Sequence, residues 1–189
     1  MRPPLPPKAS VLLLIDLQKA IDHPSWGKRN NPSAEANIKR LLDRWRSQGW
    51  PVWHVRHDSV SPNSHYRPGQ PGHEFKPELA PLAGELVIPK RTNSAFIGTD
   101  LEARLRAGGH DSLVVVGVIT NNSVEATVRM AGNLGFSAYL VADGCFTFDR
   151  TDWNGTLRSA EDVHALSLAN LHGEYCTVVE TTALLDDGI

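Results

Sequence analysis

The sequence predicts an α/β fold: a doubly wound, six-stranded parallel sheet with helices on both faces, a Rossmann-like three-layer sandwich. Three observations carry this. Short apolar, β-branched runs alternate with longer amphipathic stretches, the pattern of repeated βαβ units. The apolar runs are continuous rather than alternating, as expected of strands buried on both faces of a parallel sheet. The length, 189 residues, suits one such domain and leaves little room for a second, so residues 1–189 read as a single domain.

The elements follow in order. Val11-Leu-Leu-Leu-Ile15 reads as the first strand. Ser33 to Gln48 reads as a helix, with Ser33 as candidate N-cap and Gly49 as stop. Pro51 to Val55 and Glu85 to Ile88 are the second and third strands. Thr99 to Ala107 is a helix, opened by the capping-box pattern Thr99-Asp-Leu-Glu102 and ended by Gly108-Gly109. Leu113 to Val116 is the fourth strand, and Ser123 to Leu134 a helix ending at Gly135. Ala138 to Val141 is the fifth strand, Ala160 to His172 a helix, and Thr177 to Val179 the sixth strand. One long stretch, Ser59 to Gly84, has five prolines and three glycines. Loops of this length in compact domains are usually functional, and this one reads as a lid or an oligomer arm.

Composition narrows the function. A 41% hydrophobic and 21% charged chain is ordinary for a globular protein, and a net charge of −2 with no basic stripe argues against nucleic acid as a partner. Two cysteines, Cys145 and Cys176, make no disulfide scaffold, and no Cys/His spacing suggests a zinc site. The proline-rich start, Met1 to Ser10, lacks the apolar core of a signal peptide, and Asp16 closes the Val11–Ile15 run before it could span a membrane. A cytoplasmic protein acting on a small molecule, without membrane or cofactor, is the expectation.

In an open parallel sheet, ligands bind beyond the carboxyl ends of the strands. Asp16-Leu17-Gln18 follows the first strand, Arg56-His57-Asp58 the second, Lys90-Arg91-Thr92-Asn93 the third and Gly117 to Ser123 the fourth. Each has a plain reading: Asp16 as a turn cap, Lys90 as a solvated lysine, Ser123 as a helix N-cap, His57 as a loop histidine. Together they converge on one edge. A strand-to-helix turn presents Ser123 at a helix N-terminus, where free N–H groups and the helix dipole favour negative charge and an oxyanion. A carboxylate and an ammonium beside it could handle the protons.

Three blocks carry a family resemblance. Lys90-Arg-Thr-Asn-Ser-Ala-Phe96 with Gly98-Thr-Asp-Leu101 resembles a K-x-x-x-S-A-F-x-G-T-x-L block. Gly117-Val-Ile-Thr120 with Ser123-Val124 and Thr127 resembles G-V-x-T-x-x-C-V-x-x-T, and Leu14 to Gln18 resembles an opening I-D-x-Q block. In order and spacing these match the isochorismatase-like, or cysteine hydrolase, superfamily over nearly the whole chain. The resemblance implies a sheet ordered 3-2-1-4-5-6 and an Asp–Lys–Cys site that falls on Asp16, Lys90 and Ser123. It implies a cis peptide at Val118–Ile119, backbone N–H groups of Ile119 and Ser123 as an oxyanion hole, and a homodimer or homotetramer. Gln18, His57, Phe96 and Asn122 are the expected substrate contacts, with Trp26 as a further wall candidate. His54, His57 and Asp58 lack the D-x-H order of the nicotinamidase metal motif, so no metal is expected.

The departure is Ser123 at the usual cysteine position. A hydroxyl is far less acidic than a thiol, so the same aspartate activates it less well. A natural serine variant, a Cys→Ser replacement and acid-driven chemistry stay open at this point. The leading expectation is hydrolysis of a C–N bond in a small amide-like substrate. The alternatives are an isochorismatase-type vinyl-ether hydrolase with Asp16 as general acid, and an inactive family member that binds ligand. Exposed Tyr66 and Phe75 in the long loop are expected to border a neighbouring subunit. Cys145 is a less favoured substitute nucleophile, and Cys176 is expected to be inert core.

Overall fold

In the computed structural model, which describes residues 5–186, the long apolar runs form a single parallel sheet. Met1–Pro4 of the proline-rich start lie outside the described residues. The strands are β1 (Val11–Ile15), β2 (Val52–His57), β3 (Leu86–Lys90), β4 (Ser112–Val118), β5 (Ser137–Phe146) and, last in the sheet, β8 (Thr177–Val179). Their order is β3-β2-β1-β4-β5-β8, all pairs parallel, which is the 3-2-1-4-5-6 order expected for the six strands of the sheet. A short antiparallel hairpin, β6 (Arg150–Thr151) and β7 (Leu157–Arg158), intervenes before β8 and was not expected. Asp152-Trp-Asn-Gly155 between its strands is the turn chemistry that marked it.

The central strands β1 and β4 are apolar almost throughout because both faces are covered. Leu12 and Leu14 of β1 pack with Val114, Val116 and Val118 of β4 against α1 (Ala34–Ser47) and α5 (Thr181–Leu185). Val11, Leu13 and Ile15 face the other way, with Leu113 and Val115, against α2 (Leu101–Ala107), α3 (Glu125–Asn133) and α4 (Ala160–Leu171). The 3.6-residue period of α1 puts Ala34, Ile38, Leu41, Leu42 and Trp45 on its buried face. Trp45, fully buried, also donates its indole N–H to Ser10 O at 2.7 Å.

Most boundaries differ from the expectation by one to three residues, and three of the differences have a clear local reason. Thr99 lies one residue before the N-cap position, which Asp100 fills without a side-chain bond; Thr99 Oγ1 accepts from Leu101 N at 3.3 Å and donates to Ala95 O. The helix expected from Ser123 begins as one wide turn, Thr120–Val124, before α3 proper. Strand β5 runs five residues past Val141, with a register shift against β4 between Val115 and Gly117. Gly117 is required there: its φ is +125°, and a Cβ would meet Ile15 O at 2.2 Å.

The Ser59–Gly84 loop is not a free arm. It carries short 3-10 turns at Pro71–His73 and Pro77–Leu79, and Leu79 is fully buried. Lys76, also buried, reaches Asp22 at 2.7 Å and Glu35 at 2.9 Å. Nor are its aromatics exposed as expected. Tyr66 is 7% exposed, and Phe75 is half-buried with its ring edge-on to His54. No helix among the described residues is long and apolar enough to cross a membrane.

Candidate active site

The strand order reverses between β1 and β4, which are neighbours, and this switch point is where a doubly wound sheet leaves a crevice. Asp16 follows β1 directly, with φ at +54°, and its backbone N–H donates to Val55 O at 3.1 Å. Lys90 ends β3 opposite His57 in register, so its side chain reaches across the end of β2 toward Asp16. The peptide between Val118 and Ile119 is cis, and the wide turn that follows delivers Ser123.

These three side chains meet. Lys90 Nζ donates to Asp16 Oδ2 at 2.7 Å, to Ser123 Oγ at 3.1 Å and to Thr92 O at 3.1 Å. All three donor directions of the ammonium are used, so a lysine that is 1% exposed keeps its charge satisfied. Asp16 Oδ1, by contrast, is buried with no hydrogen-bond partner among the described residues. A buried acceptor left open is costly, and here it lies in a site that a ligand can complete.

A cleft of about 130 Å³ opens onto this cluster. It is lined by Asp16, Ser123 and the turn residues Val118, Ile119 and Asn122, together with Asn93, Trp26, His57, Ser64 and Tyr66. Trp26 is fixed by its indole N–H on Ala20 O at 2.9 Å and by stacking on Phe148. Tyr66 donates its hydroxyl to Asp16 O at 3.3 Å and lies edge-on to His57. Burial pulls the His57 imidazole below its usual value, so the ring is neutral at physiological pH. The backbone N–H of Ile119 is taken up by no backbone carbonyl among the described residues, whereas its C=O accepts from Asn122 and Val124.

Asp16, Lys90, Ser123, Ile119, His57 and Asn122 are therefore brought together, and two expected contacts are not. Gln18 is fully buried and clamps backbone instead. Its Oε1 accepts from His57 N at 2.7 Å, and its Nε2 donates to His57 O at 3.1 Å and His73 O at 2.9 Å. Phe96 lies in the core beneath α2 and α3, stacked on Phe136 with centroids 5.7 Å apart. Cys145 is buried in that same core, where desolvation drives its thiol far above the ordinary value. Burial likewise pushes the Cys176 thiol up to about 12, and neither cysteine lines the cleft. Asn93, placed at this edge by the sequence but not named as a contact, lines the cleft; Ser64 and Tyr66 were missed as cleft residues, since they sit in an irregular loop whose sequence shows no period.

The serine turn is tied to the rest of the fold by the residues that carried the resemblance. Thr127 Oγ1 accepts from Ala95 N at 3.0 Å and donates to Ser123 O at 2.7 Å. Behind the turn, Thr120 Oγ1 and His164 Nδ1 are 2.9 Å apart, and Ser167 donates to Glu125 at 2.6 Å. Among the described residues no group of three or more His, Cys, Asp or Glu is disposed to hold a metal ion.

Comparison with known proteins gives a consistent result. The family model described as "Isochorismatase domain" matches residues 10–182. A crystal structure of an isochorismatase-family hydrolase from Chromobacterium violaceum superposes with a TM-score of 0.94 at 63% identity, covering 98% of this chain and 97% of that one. The uncharacterised isochorismatase family protein YrdC of Bacillus subtilis is 41% identical over 178 residues, 94% of this chain and 95% of its own. More distant is the ureidoacrylate amidohydrolase RutB of Rhizobium rhizogenes, 28% identical over 174 residues, 74% of this chain and 71% of its own. On this fold, these motifs and these relatives, the chain belongs to the isochorismatase family of hydrolases.

Proposed function

We propose that the protein hydrolyses the C–N bond of a small amide, with Asp16, Lys90 and Ser123 as its reacting groups. The observation that carries this reading is the position of Lys90 Nζ, 2.7 Å from Asp16 and 3.1 Å from Ser123 Oγ, buried behind the two side chains that line the cleft. Likeness to an amidohydrolase, RutB, supports hydrolysis of a C–N bond as the type of reaction.

The chemistry is as follows. Ser123 Oγ attacks the amide carbon and its proton passes to Asp16, whose Oδ1 has no other partner among the described residues. The carbonyl oxygen takes the negative charge, received by the backbone N–H groups of Ile119 and Ser123. The C–N bond breaks, Asp16 returns the proton to the leaving nitrogen, and an ester remains on Ser123. Water then cleaves the ester, losing a proton to Asp16, and Ser123 recovers its hydrogen. Lys90 holds Asp16 in place by its 2.7 Å hydrogen bond and lowers the cost of charge on Ser123 Oγ.

A second reading draws on the same open acceptor. Asp16, once protonated, could deliver a proton to a vinyl-ether carbon with no nucleophile required. Ammonia release from simple amides, and loss of vinyl-ether absorbance, separate the two. Under amide chemistry Ser123→Ala abolishes turnover, and Ser123→Cys raises it by orders of magnitude, because a thiolate forms far more readily than an alkoxide. Under vinyl-ether chemistry Ser123→Ala costs little, while Asp16→Asn is crippling. A parent and a Ser123→Cys variant both inactive on every amide would overturn the amide reading.

A further inference from the structure

The charge distribution of the cleft selects among amides, and the selection rests on the reading of this cleft as the substrate site. Asp16 is the one acidic or basic side chain, histidine aside, among the residues that line it. The ammonium that balances it, Lys90, is 1% exposed and spends its three hydrogens on Asp16, Ser123 and Thr92. No arginine is among the residues that line the cleft: Arg56, beside His57, is turned to Asp58 at 2.8 Å, and Arg67 and Arg91, close in sequence to Tyr66 and Asn93, lie outside the lining. His57 contributes a ring that burial keeps neutral. The remaining polar groups, Asn93, Asn122, Ser64 and the Tyr66 hydroxyl, carry no charge, and Trp26, Val118 and Ile119 are apolar.

A substrate bearing a second, anionic group would therefore meet, among the residues that line the cleft, no cation with a free hydrogen. It would lose its hydration in a small cleft and face the unpartnered Asp16 Oδ1. An uncharged amide meets the opposite situation. Its N–H groups can donate to Asp16 Oδ1, its oxygen can accept from the turn, and an apolar body can lie against Trp26.

We propose that the substrate is a small, uncharged carboxamide, and that amides carrying a carboxylate are excluded. The test compares benzamide with 3-carbamoylbenzoate as substrates of the parent and of Ser123→Cys. It adds calorimetric binding of benzamide and benzoate to the parent and to Asp16→Asn. The expected result is a kcat/KM at least tenfold higher for benzamide, and at least tenfold tighter binding of benzamide than of benzoate. In Asp16→Asn the balance should move toward benzoate, because Lys90 is left as an uncompensated cation. Equal or preferred turnover of 3-carbamoylbenzoate overturns this inference and leaves amide hydrolysis standing. Absence of turnover on both compounds, with both enzymes, counts against amide hydrolysis instead. The binding arm then decides: benzoate bound as tightly as benzamide by the parent, or an unchanged ratio in Asp16→Asn, overturns the exclusion of anions.

Discussion

Replacing Lys90 by methionine measures what the buried ion pair contributes to stability. The Lys90 side chain has no exposed surface and that of Asp16 is 6% exposed, with 2.7 Å between Nζ and Oδ2. Methionine fills most of the lysine's volume and removes only the charge and its three hydrogen bonds. Asp16 then keeps a buried carboxylate whose other oxygen is already without a partner. Removing one member of a buried pair costs about 3–5 kcal/mol, mostly because the remaining charge is uncompensated. At about 2–4 °C per kcal/mol for a chain of this size, Tm should fall by roughly 6–20 °C. The double variant Lys90→Met with Asp16→Asn buries no charge and should recover at least about half of that loss. Thermal melts followed by circular dichroism at neutral pH give both numbers. A Lys90→Met protein within about 1 kcal/mol of the parent, or a double variant whose loss equals the sum of the single losses, would refute the reasoning.

Two further outcomes follow from other contacts. Gln18→Leu leaves the N–H and C=O of His57 and the C=O of His73 unpaired, so unfolding by urea should show a loss of about 2–4 kcal/mol; unchanged stability with a raised KM would instead make Gln18 a substrate contact. Burial raises the Glu35 carboxyl, but hydrogen bonds from Arg29 and Lys76 outweigh it and hold the group at about 2 against an ordinary 4.5. A depressed carboxylate stabilises the fold above its unfolded value and stops doing so below its folded one. Parent and Glu35→Gln should therefore differ most in Tm above pH 4.5 and converge as pH falls toward 2, and a gap that stays constant over that range would contradict the assignment.

Much of the sheet was legible because its strands are written as unbroken apolar runs. Val11–Ile15 and Thr177–Val179 were placed to the residue, and the length of the other strands was short by only a few residues except in β5. There the extension past Val141 carries Asp143 and Gly144, which do not look like strand. Asp143 is held by Asn37 and Thr181, partners 106 and 38 residues away that no local pattern announces. The convergence of Asp16, Lys90 and Ser123 was legible for a different reason: each directly follows a strand end or lies on the turn beyond it, and a parallel sheet brings such ends to one edge. Side-chain direction was not legible. Gln18 and Phe96 lie beside functional residues in sequence yet point to backbone and core, since neighbours on an irregular segment follow no fixed period. Tyr66, far from every motif, walls the cleft because tertiary anchoring of its loop puts it there.

That anchoring bears on how the enzyme would choose its substrates over evolutionary time. The loop from Ser59 to Gly84 is pinned by Lys76 on Asp22 and Glu35, by His73 on Asp58 at 2.7 Å, and by Gln18 on His73. Opening it would break several buried contacts at once, so the open population is small and the cleft presents a nearly fixed mould rather than a closing jaw. Discrimination in a fixed mould comes from shape and charge already in place, not from energy released on closure. New specificities are then reached by exchanging single wall residues such as Ser64 or Asn93, while the anchors that hold the wall, Tyr66 among them, stay as they are.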